Sequence, residues 1–144
     1  MTNSDDISNL IQSAALGLSR QSDQILLEQL GIGWSQYRIL RAIRQHDAIS
    51  QRKISHLLGQ TEASISRQIK ILTKDGLISR EQLSTNRRVH ISSLTIKGIR
   101  ITDSAIDILA KHDSAIFGNL SDKQRRQLTL YLESIAGGAS DSTT

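Results

Sequence analysis

The sequence contains no cysteine and no proline, and both absences narrow what the protein can be. Without cysteine there can be no disulfide, no thiolate metal site and no thiol redox sensor, which is compatible with the cytoplasm. The lack of proline suits a mostly helical chain, because proline inside a helix removes a hydrogen bond and breaks the regular backbone. We therefore expect a mainly helical, cytoplasmic protein.

Long apolar runs and a secretory signal are also missing. No stretch of about 18 consecutive apolar residues is present, so no membrane-spanning helix is predicted. The N-terminus, MTNSDDISNL, carries acidic residues where a signal peptide would carry basic ones. A chain of 144 residues is long enough to bury a core, and we expect one domain, 1–144, with no membrane partner.

Catalytic and metal-binding motifs are sparse. The sequence has no G-x-S-x-G elbow, no Gly-rich phosphate loop, no H-E-x-x-H motif and no conspicuous pair of carboxylates. Its histidines are dispersed without ligand-like spacing: His46, His56, His90 and His112. We predict no enzyme activity, no metal site and no cofactor.

Positive charge is concentrated in the middle of the chain. Residues 50–100 hold ten Lys or Arg against three Asp or Glu, a net charge of +7. The remaining residues hold eight basic and eleven acidic side chains, a net charge of −3. Clustered positive charge of this kind is typical of a surface that binds a phosphate backbone.

The same region carries a helix-turn-helix pattern. Ser50 can cap a short helix over 51–58 that Gly59 closes. Thr61 can cap a second helix, which ends at Asp75 and Gly76. The apolar residues of the second helix recur at helical spacing and define one buried face: Ile65, Ile69 and Leu72.

The opposite face of the second helix is small near its start and basic further along: Ala63, Ser64, Arg67, Lys70 and Lys74. Small residues permit close approach to a major groove, and arginine can donate two hydrogen bonds to guanine. Gln60 in the turn is expected to point towards DNA, while Arg52 and Lys53 are candidates for phosphate contact. The alternative is an ordinary amphipathic helix with a solvated basic face.

A basic hairpin is predicted directly after the second helix. Residues 77–81 read as a strand, 84–88 as a polar turn with Arg87 and Arg88 at its tip, and 89–91 as a second strand. A cationic tip suits a minor groove, where negative potential attracts arginine. Ala48 and Ile49 are expected to form a very short strand that pairs with this wing.

Amphipathic helices flank the winged segment. The pattern predicts a helical region over 5–30, a helix from Trp34 to about His46 with Trp34 and Tyr37 as core anchors, and a long helix from Ile96 to about 115. A capping box at Ser121 opens a last helix that Gly137 and Gly138 should end, before a disordered tail over 139–144. The outer helices have more apolar surface than one core needs, which favours a homodimer; the alternative is that they complete a monomer.

Several motifs in register resemble the MarR family of winged helix-turn-helix transcription regulators, over about 33–98. They are QYRIL from Gln36, ISQ from Ile49 followed by LG at Leu58, SISR from Ser64, GLI from Gly76, NRR from Asn86, and LT at Leu94 followed by Gly98. The resemblance implies a homodimer with recognition helices in successive major grooves and wing arginines in the minor groove or on its phosphates. It also implies transcription regulation in the cytoplasm, usually repression of nearby genes and sometimes activation.

Two residues depart from the family pattern. Asn86 stands where the wing usually has an aspartate that pairs with the arginine matching Arg88, so the change either frees Arg88 for DNA or loosens the wing. Glu62 stands where the recognition helix often has a proline. Its charge suits a helix N-terminus, yet near DNA it either repels phosphate or accepts from a cytosine amine.

Many members of this family bind a small, often phenolic, effector between the DNA-binding lobe and the dimer helices. Aromatic residues make up only 3% of this sequence, so such a pocket would depend on Trp34, Tyr37, Phe117 or Tyr131. A small aromatic effector is therefore compatible with the sequence, but a sensor role is not predicted from it.

The prediction is a mainly α (α+β) fold, a winged helix-turn-helix lobe over 33–98 with dimerisation helices over 5–30 and 99–137. The function is that of a sequence-specific double-stranded DNA-binding regulator, a repressor that binds a palindromic operator as a homodimer. The alternative is a winged-helix protein-interaction or architectural module without specific operator binding. The predicted DNA-binding residues are Gln60, Ala63, Ser64, Ser66, Arg67, Lys70, Arg87, Arg88, Arg52 and Lys53.

Overall fold

A computed structural model describes the fold of residues 3–83 and 86–141, and the side chains of 3–81 and 90–139. In chain order the elements are α1 (Ser4–Leu30), α2 (Trp34–His46), β1 (Ala48–Ser50), α3 (Gln51–Leu58), α4 (Glu62–Lys74), β2 (Ile78–Leu83), β3 (Asn86–Leu94), α5 (Ile96–Phe117) and α6 (Asp122–Asp141). The chain divides into two compact units, residues 1–108 and 109–144, and the division falls inside α5.

Side-chain caps set the starts of α3 and α4, as the sequence predicts. The Ser50 hydroxyl accepts from the backbone N–H of Lys53 at 3.2 Å, and the Thr61 hydroxyl accepts from that of Ser64 at 3.1 Å. Each cap satisfies a donor that the first helical turn leaves without a partner. The positions of both helices therefore follow from local sequence signals.

Left-handed glycines end the same two helices. Gly59 has φ +63° after α3, and Gly76 has φ +76° after α4. This backbone conformation is costly for a residue with a Cβ, so glycine is favoured at both positions. At the end of α4 the chain turns towards β2, and the Leu77 N–H donates to the Leu72 carbonyl at 2.9 Å across this turn.

The three strands form one antiparallel sheet in the order β1-β3-β2. The short strand predicted at Ala48 and Ile49 is confirmed, and it pairs with β3 through Ile49 and Ser92. Both wing strands are longer than predicted. The register between β2 and β3 is regular from Ile78 to Gln82 and shifts between Gln82 and Leu83.

The core of the first unit lies between α2, α3, α4 and the inner face of the sheet. The predicted apolar face of α4 is confirmed, since Ile65, Ile69 and Leu72 are fully buried. Tyr37 is buried as predicted, whereas Trp34 is half-buried. In α3, Ile54 is fully buried, whereas Leu57 is 47% exposed.

The second unit contains the end of α5 and all of α6. The predicted capping box is confirmed, because the Ser121 hydroxyl accepts from the Gln124 N–H at 3.2 Å and the Gln124 side chain accepts from the Ser121 N–H at 2.8 Å. The predicted end of this helix is wrong: α6 continues through Gly137 and Gly138 to Asp141. Neither glycine has a positive φ, and glycine inside a helix costs only about 1 kcal/mol relative to alanine, so it need not end one.

The predicted disordered tail is therefore wrong for residues 139–141, which are helical, while 142–144 lie outside the described residues. Among the helices that the structure describes, none has both the length and the apolar character needed to cross a membrane.

Candidate nucleic-acid interface

The outward face of α4 presents small and basic side chains together. Ala63, Arg67 and Lys70 are exposed, while Ser64 and Ser66 are half-buried beside them. Because the buried isoleucines hold the opposite face against the core, this face is fixed towards solvent. The helix can thus present small side chains near its start, followed by Arg67 and Lys70 further along the same face.

Gln60 in the turn between α3 and α4 contacts the start of α4 directly. Its side-chain oxygen accepts from the Ser64 hydroxyl at 3.4 Å. This contact holds two of the predicted site residues side by side.

Arg52 and Lys53 occupy the first turn of α3, and both are exposed. Their backbone is fixed by the Ser50 cap and by the carbonyl of Arg52, which accepts from the Ser55 hydroxyl at 2.8 Å. Within the part of the chain whose side chains are described, neither residue forms an ion pair. Both cations are therefore available to an external anion.

The wing differs from its prediction in one respect. The strand β3 already begins at Asn86, which pairs with Leu83, so Arg87 and Arg88 belong to the strand and not to a turn. The reason is the register shift after Gln82, which extends pairing beyond the expected end of the hairpin. The side chains of both arginines, and the predicted turn residues Ser84 and Thr85, lie outside the described residues.

A contact that the sequence analysis missed connects the sheet to both helices of the motif. Arg80 on β2 donates to the side-chain oxygen of Gln51 at 3.2 Å, and the Gln51 amide donates to the Glu62 carbonyl at 3.4 Å. Strand alternation could have indicated it, because Arg80 lies two residues after the buried Ile78 and so shares its inward face.

Of the aromatic residues considered for an effector pocket, Trp34 and Tyr37 lie together. Their ring centroids are 5.5 Å apart and the rings are tilted by 33°. They line an open cleft of about 340 Å³ between α2 and α3, together with Arg38, Arg41, Ala42, Gln45, His46, Leu57 and Leu58. In the second unit, Phe117 lines a different cleft of about 450 Å³ with Arg125, and Tyr131 is 64% exposed.

Among the described side chains no three His, Cys, Asp or Glu residues are grouped so that they could hold a metal ion. Arg44 donates to the Asp103 carboxylate at 3.1 Å, and this hydrogen bond, helped by the opposite charge, raises the pKa of Arg44 above its ordinary value. That exposed pair links α2 to α5 and lies outside the predicted DNA-binding residues.

Comparison with known proteins agrees with this geometry. The model of the MarR family matches residues 32–90, which include α3, α4, β2 and most of the wing. The HTH-type transcriptional regulator BilQ of Clostridium symbiosum is 24% identical over 109 residues, which cover 76% of each chain. Over residues 32–90 the chain carries the winged helix-turn-helix of the MarR family. The predicted resemblance to transcription regulators of this family is thereby confirmed, and the family is one of regulators and not of enzymes.

Solved MarR-family structures share the fold over nearly the whole chain. A MarR/EmrR family transcriptional regulator from Acinetobacter sp. ADP1 superposes with a TM-score of 0.85 at 22% identity, covering 98% of this chain and 99% of the other. A mutant MarR from Escherichia coli, complexed with operator DNA, gives a TM-score of 0.80 at 19% identity, covering 90% and 92% of the two chains. The predicted fold class, a mainly helical winged helix-turn-helix with N- and C-terminal helices, is confirmed.

Proposed function

We propose that this chain is a MarR-family regulator that binds double-stranded operator DNA in a sequence-specific manner, as a homodimer on a palindromic site, and represses transcription. The observation that carries the proposal is the outward face of α4, where Ala63, Arg67 and Lys70 are exposed on a helix whose other face is locked in the core. A helix with this division of faces can enter a major groove without disturbing the fold.

The residues of the α4 face have distinct roles in this proposal. Arg67 reads a base edge, because its guanidinium can donate two parallel hydrogen bonds to guanine. Ala63 and Ser66 permit the backbone to approach, and Ser64 with Gln60 forms the leading edge of the helix. Lys70 contacts phosphate further along the groove.

The cations outside α4 supply affinity without reading sequence. Arg52 and Lys53, exposed at the start of α3, contact the phosphate backbone beside the groove. Arg87 and Arg88 lie on the wing strand β3 and extend the basic surface to the adjacent minor groove or its phosphates. Positive charge in these places neutralises phosphates and releases counterions, so binding should weaken steeply with salt.

The need for a second copy follows from α6. All residues of α6 whose side chains are described are exposed in the single chain, including Leu128, Leu130, Tyr131, Leu132 and Ile135. A helix of this length depends on burying an apolar face, since helix propensity alone gives marginal stability in water. We propose that a second copy covers this face, as the two-fold symmetry of a homodimer requires.

Two structurally similar proteins support this proposal, because each was solved bound to DNA. The MarR structure from Escherichia coli is complexed with operator DNA, and the Staphylococcus aureus MepR structure is a DNA complex. A dimer would present two copies of α4 about one helical turn of DNA apart, roughly 34 Å, which favours an operator with two inverted half-sites. A protein bound over such a site near a promoter would exclude other factors, and repression follows.

A small aromatic effector would have its place in the cleft at Trp34 and Tyr37, beside Arg38 and Arg41. Two aromatic rings and two cationic side chains suit an aromatic ligand with negative charge. Trp34 is the sole tryptophan of the chain, so fluorescence excited selectively at tryptophan reports on this cleft. Titration with aromatic acids should quench that fluorescence in a saturable manner, and a linear response would exclude a bound effector of this class.

The function is tested by selecting duplexes from a random DNA library with the purified chain and then mapping the protected bases by footprinting. The proposal expects a selected sequence with two inverted half-sites, protected about ten base pairs or a multiple of that apart. Failure to enrich any sequence, with binding to all duplexes alike, would support the architectural alternative instead. Protection of a single half-site would contradict the dimer.

A further inference from the structure

Arg80 occupies an unusual place for a charged residue. It lies on β2 directly opposite Ser92 of β3, and Ser92 lies opposite Ile49 of β1. Residues paired in this way share one face of a sheet, and here that face is the inner one, since Ser92 and Ile49 are 0% and 3% exposed. The side chain of Arg80 therefore runs under the sheet towards the helices, while the side chains of Ser79 and Glu81 are exposed.

The end of this side chain connects three elements. The Arg80 Nη2 donates to the side-chain oxygen of Gln51, the first residue of α3. The Gln51 amide nitrogen then donates to the carbonyl of Glu62, the first residue of α4. The strand that leads into the wing is thus connected, through two hydrogen bonds, to the first turn of the helix proposed to read DNA.

Stability alone does not account for an arginine here. Among the described residues, the buried Nε of Arg80 and the buried hydroxyl of Ser92 have no protein partner. Buried polar groups without a partner destabilise the folded state, and an apolar residue at this position of β2 would avoid that loss. The arginine at this position is better explained by what its guanidinium holds in place.

We propose that Arg80 is a positioning residue for DNA recognition, which fixes the first turn of α4 relative to the wing through Gln51. The inference rests on the proposed function, since it concerns how the two DNA-binding elements are kept in one arrangement. An interface that is arranged before binding loses less conformational freedom when it binds. Arg80 would act on Ser64 and Arg67 through the start of α4, without contacting DNA itself.

A conservative substitution separates positioning from charge. Arg80→Lys keeps the positive charge and most of the stem but removes the planar fork that reaches Gln51. If Arg80 positions α4, this variant should lose about tenfold in the ratio of affinities for the selected and scrambled duplexes. The dependence of affinity on salt should stay unchanged, because the number of cations near phosphate is the same.

A double-mutant cycle tests whether Gln51 transmits the effect. Gln51→Ala should lower the same affinity ratio, and combining it with Arg80→Lys should give little further loss, because both remove one connected pair of hydrogen bonds. Arg44→Lys is the matched control. It makes the same chemical change at an arginine that pairs with Asp103, away from α3 and α4, and should leave the ratio within about twofold.

Hydrogen exchange separates the failure of this inference from that of the proposed function. Arg80→Lys should speed exchange of the hydrogen-bonded amides at the start of α4, from Ser64 to Arg67, and Arg44→Lys should not. A wild-type chain without preference for any duplex would overturn the proposed function, and the exchange rates would still decide whether Arg80 holds α4. Unchanged exchange, an unchanged affinity ratio, or independent effects in the double mutant would each overturn the positioning role.

Discussion

Gly98 in the first turn of α5 lies directly against the backbone of Leu77, so closely that a Cβ on Gly98 would overlap the Leu77 carbonyl oxygen. The same carbonyl accepts from the Thr95 N–H at 3.1 Å, and the Thr95 hydroxyl donates to the Gly76 carbonyl at 2.6 Å. The start of α5 is therefore packed against the junction where α4 turns into β2. This contact fixes α4 and the wing to the start of α5, the long helix that follows them.

Gly98→Ala should destabilise the protein, because the added methyl group meets backbone that cannot rotate away. We expect the free energy of unfolding to fall by about 1–3 kcal/mol in urea denaturation, the range for overpacked sites. The control is Gly137→Ala in α6, where an added Cβ meets nothing within 4 Å. That change should stabilise by about 0.5–1 kcal/mol through helix propensity. Equal effects from both substitutions would show that the Gly98 contact is not tight.

Arg67→Ala should reduce both affinity and sequence choice. The loss of a bidentate contact to a base should cost about 1–3 kcal/mol on the selected duplex and relax the preference at one base pair. Fluorescence anisotropy with duplexes substituted at each position would locate that base pair. Lys123→Ala, at the exposed start of α6, is the charge-matched control. Undiminished specific binding by Arg67→Ala would show that α4 does not read the groove as proposed.

Arg87→Ala should instead weaken binding to all duplexes by a similar factor. If Arg87 neutralises one phosphate, the slope of log affinity against log salt should become shallower by about 0.9 for each site lost. The ratio between selected and scrambled duplexes should remain close to that of the wild type. A change in base preference at a defined position would contradict this role and give the wing arginine a part in reading sequence.

Leu132→Glu should convert the dimer into monomers. Leu132 is 43% exposed in the single chain and belongs to the apolar face of α6, so a charge there would be buried unpaired by a second copy. Sedimentation velocity would show the wild type at twice the chain mass and the variant at the chain mass. Thr129→Glu adds the same charge at an exposed position on the side of α6 away from Leu128, Tyr131 and Ile135, and this variant should stay dimeric. A monomeric wild type at micromolar concentration would contradict the proposed interface.

The elements set by local signals could be predicted closely from the sequence. The caps at Ser50, Thr61 and Ser121 and the left-handed Gly59 and Gly76 are each recognised within a few residues, and the structure confirms them. The face of α4 that carries Arg67 follows from the spacing of its buried isoleucines. These features depend on interactions between near neighbours in the chain, which the sequence displays directly.

Features that depend on distant contacts could not be read in this way. The inward position of Arg80 requires the pairing of β2 with β3 and the position of Gln51, which lies 29 residues earlier in the chain. The early start of β3 follows from the register shift between Gln82 and Leu83, which no residue pattern predicts. Gly137 and Gly138 resemble a helix end locally, yet neither adopts a left-handed backbone and the helix continues to Asp141.

Specific binding to double-stranded DNA is the central claim, and fluorescence anisotropy across a salt series tests it most directly. The wild-type chain is titrated against its selected duplex and a scrambled duplex of the same composition. We predict binding to the selected duplex that is about a thousandfold tighter or more, with affinity for both falling steeply as salt rises. Equal affinity for the two duplexes, or affinity that does not respond to salt, would contradict the account.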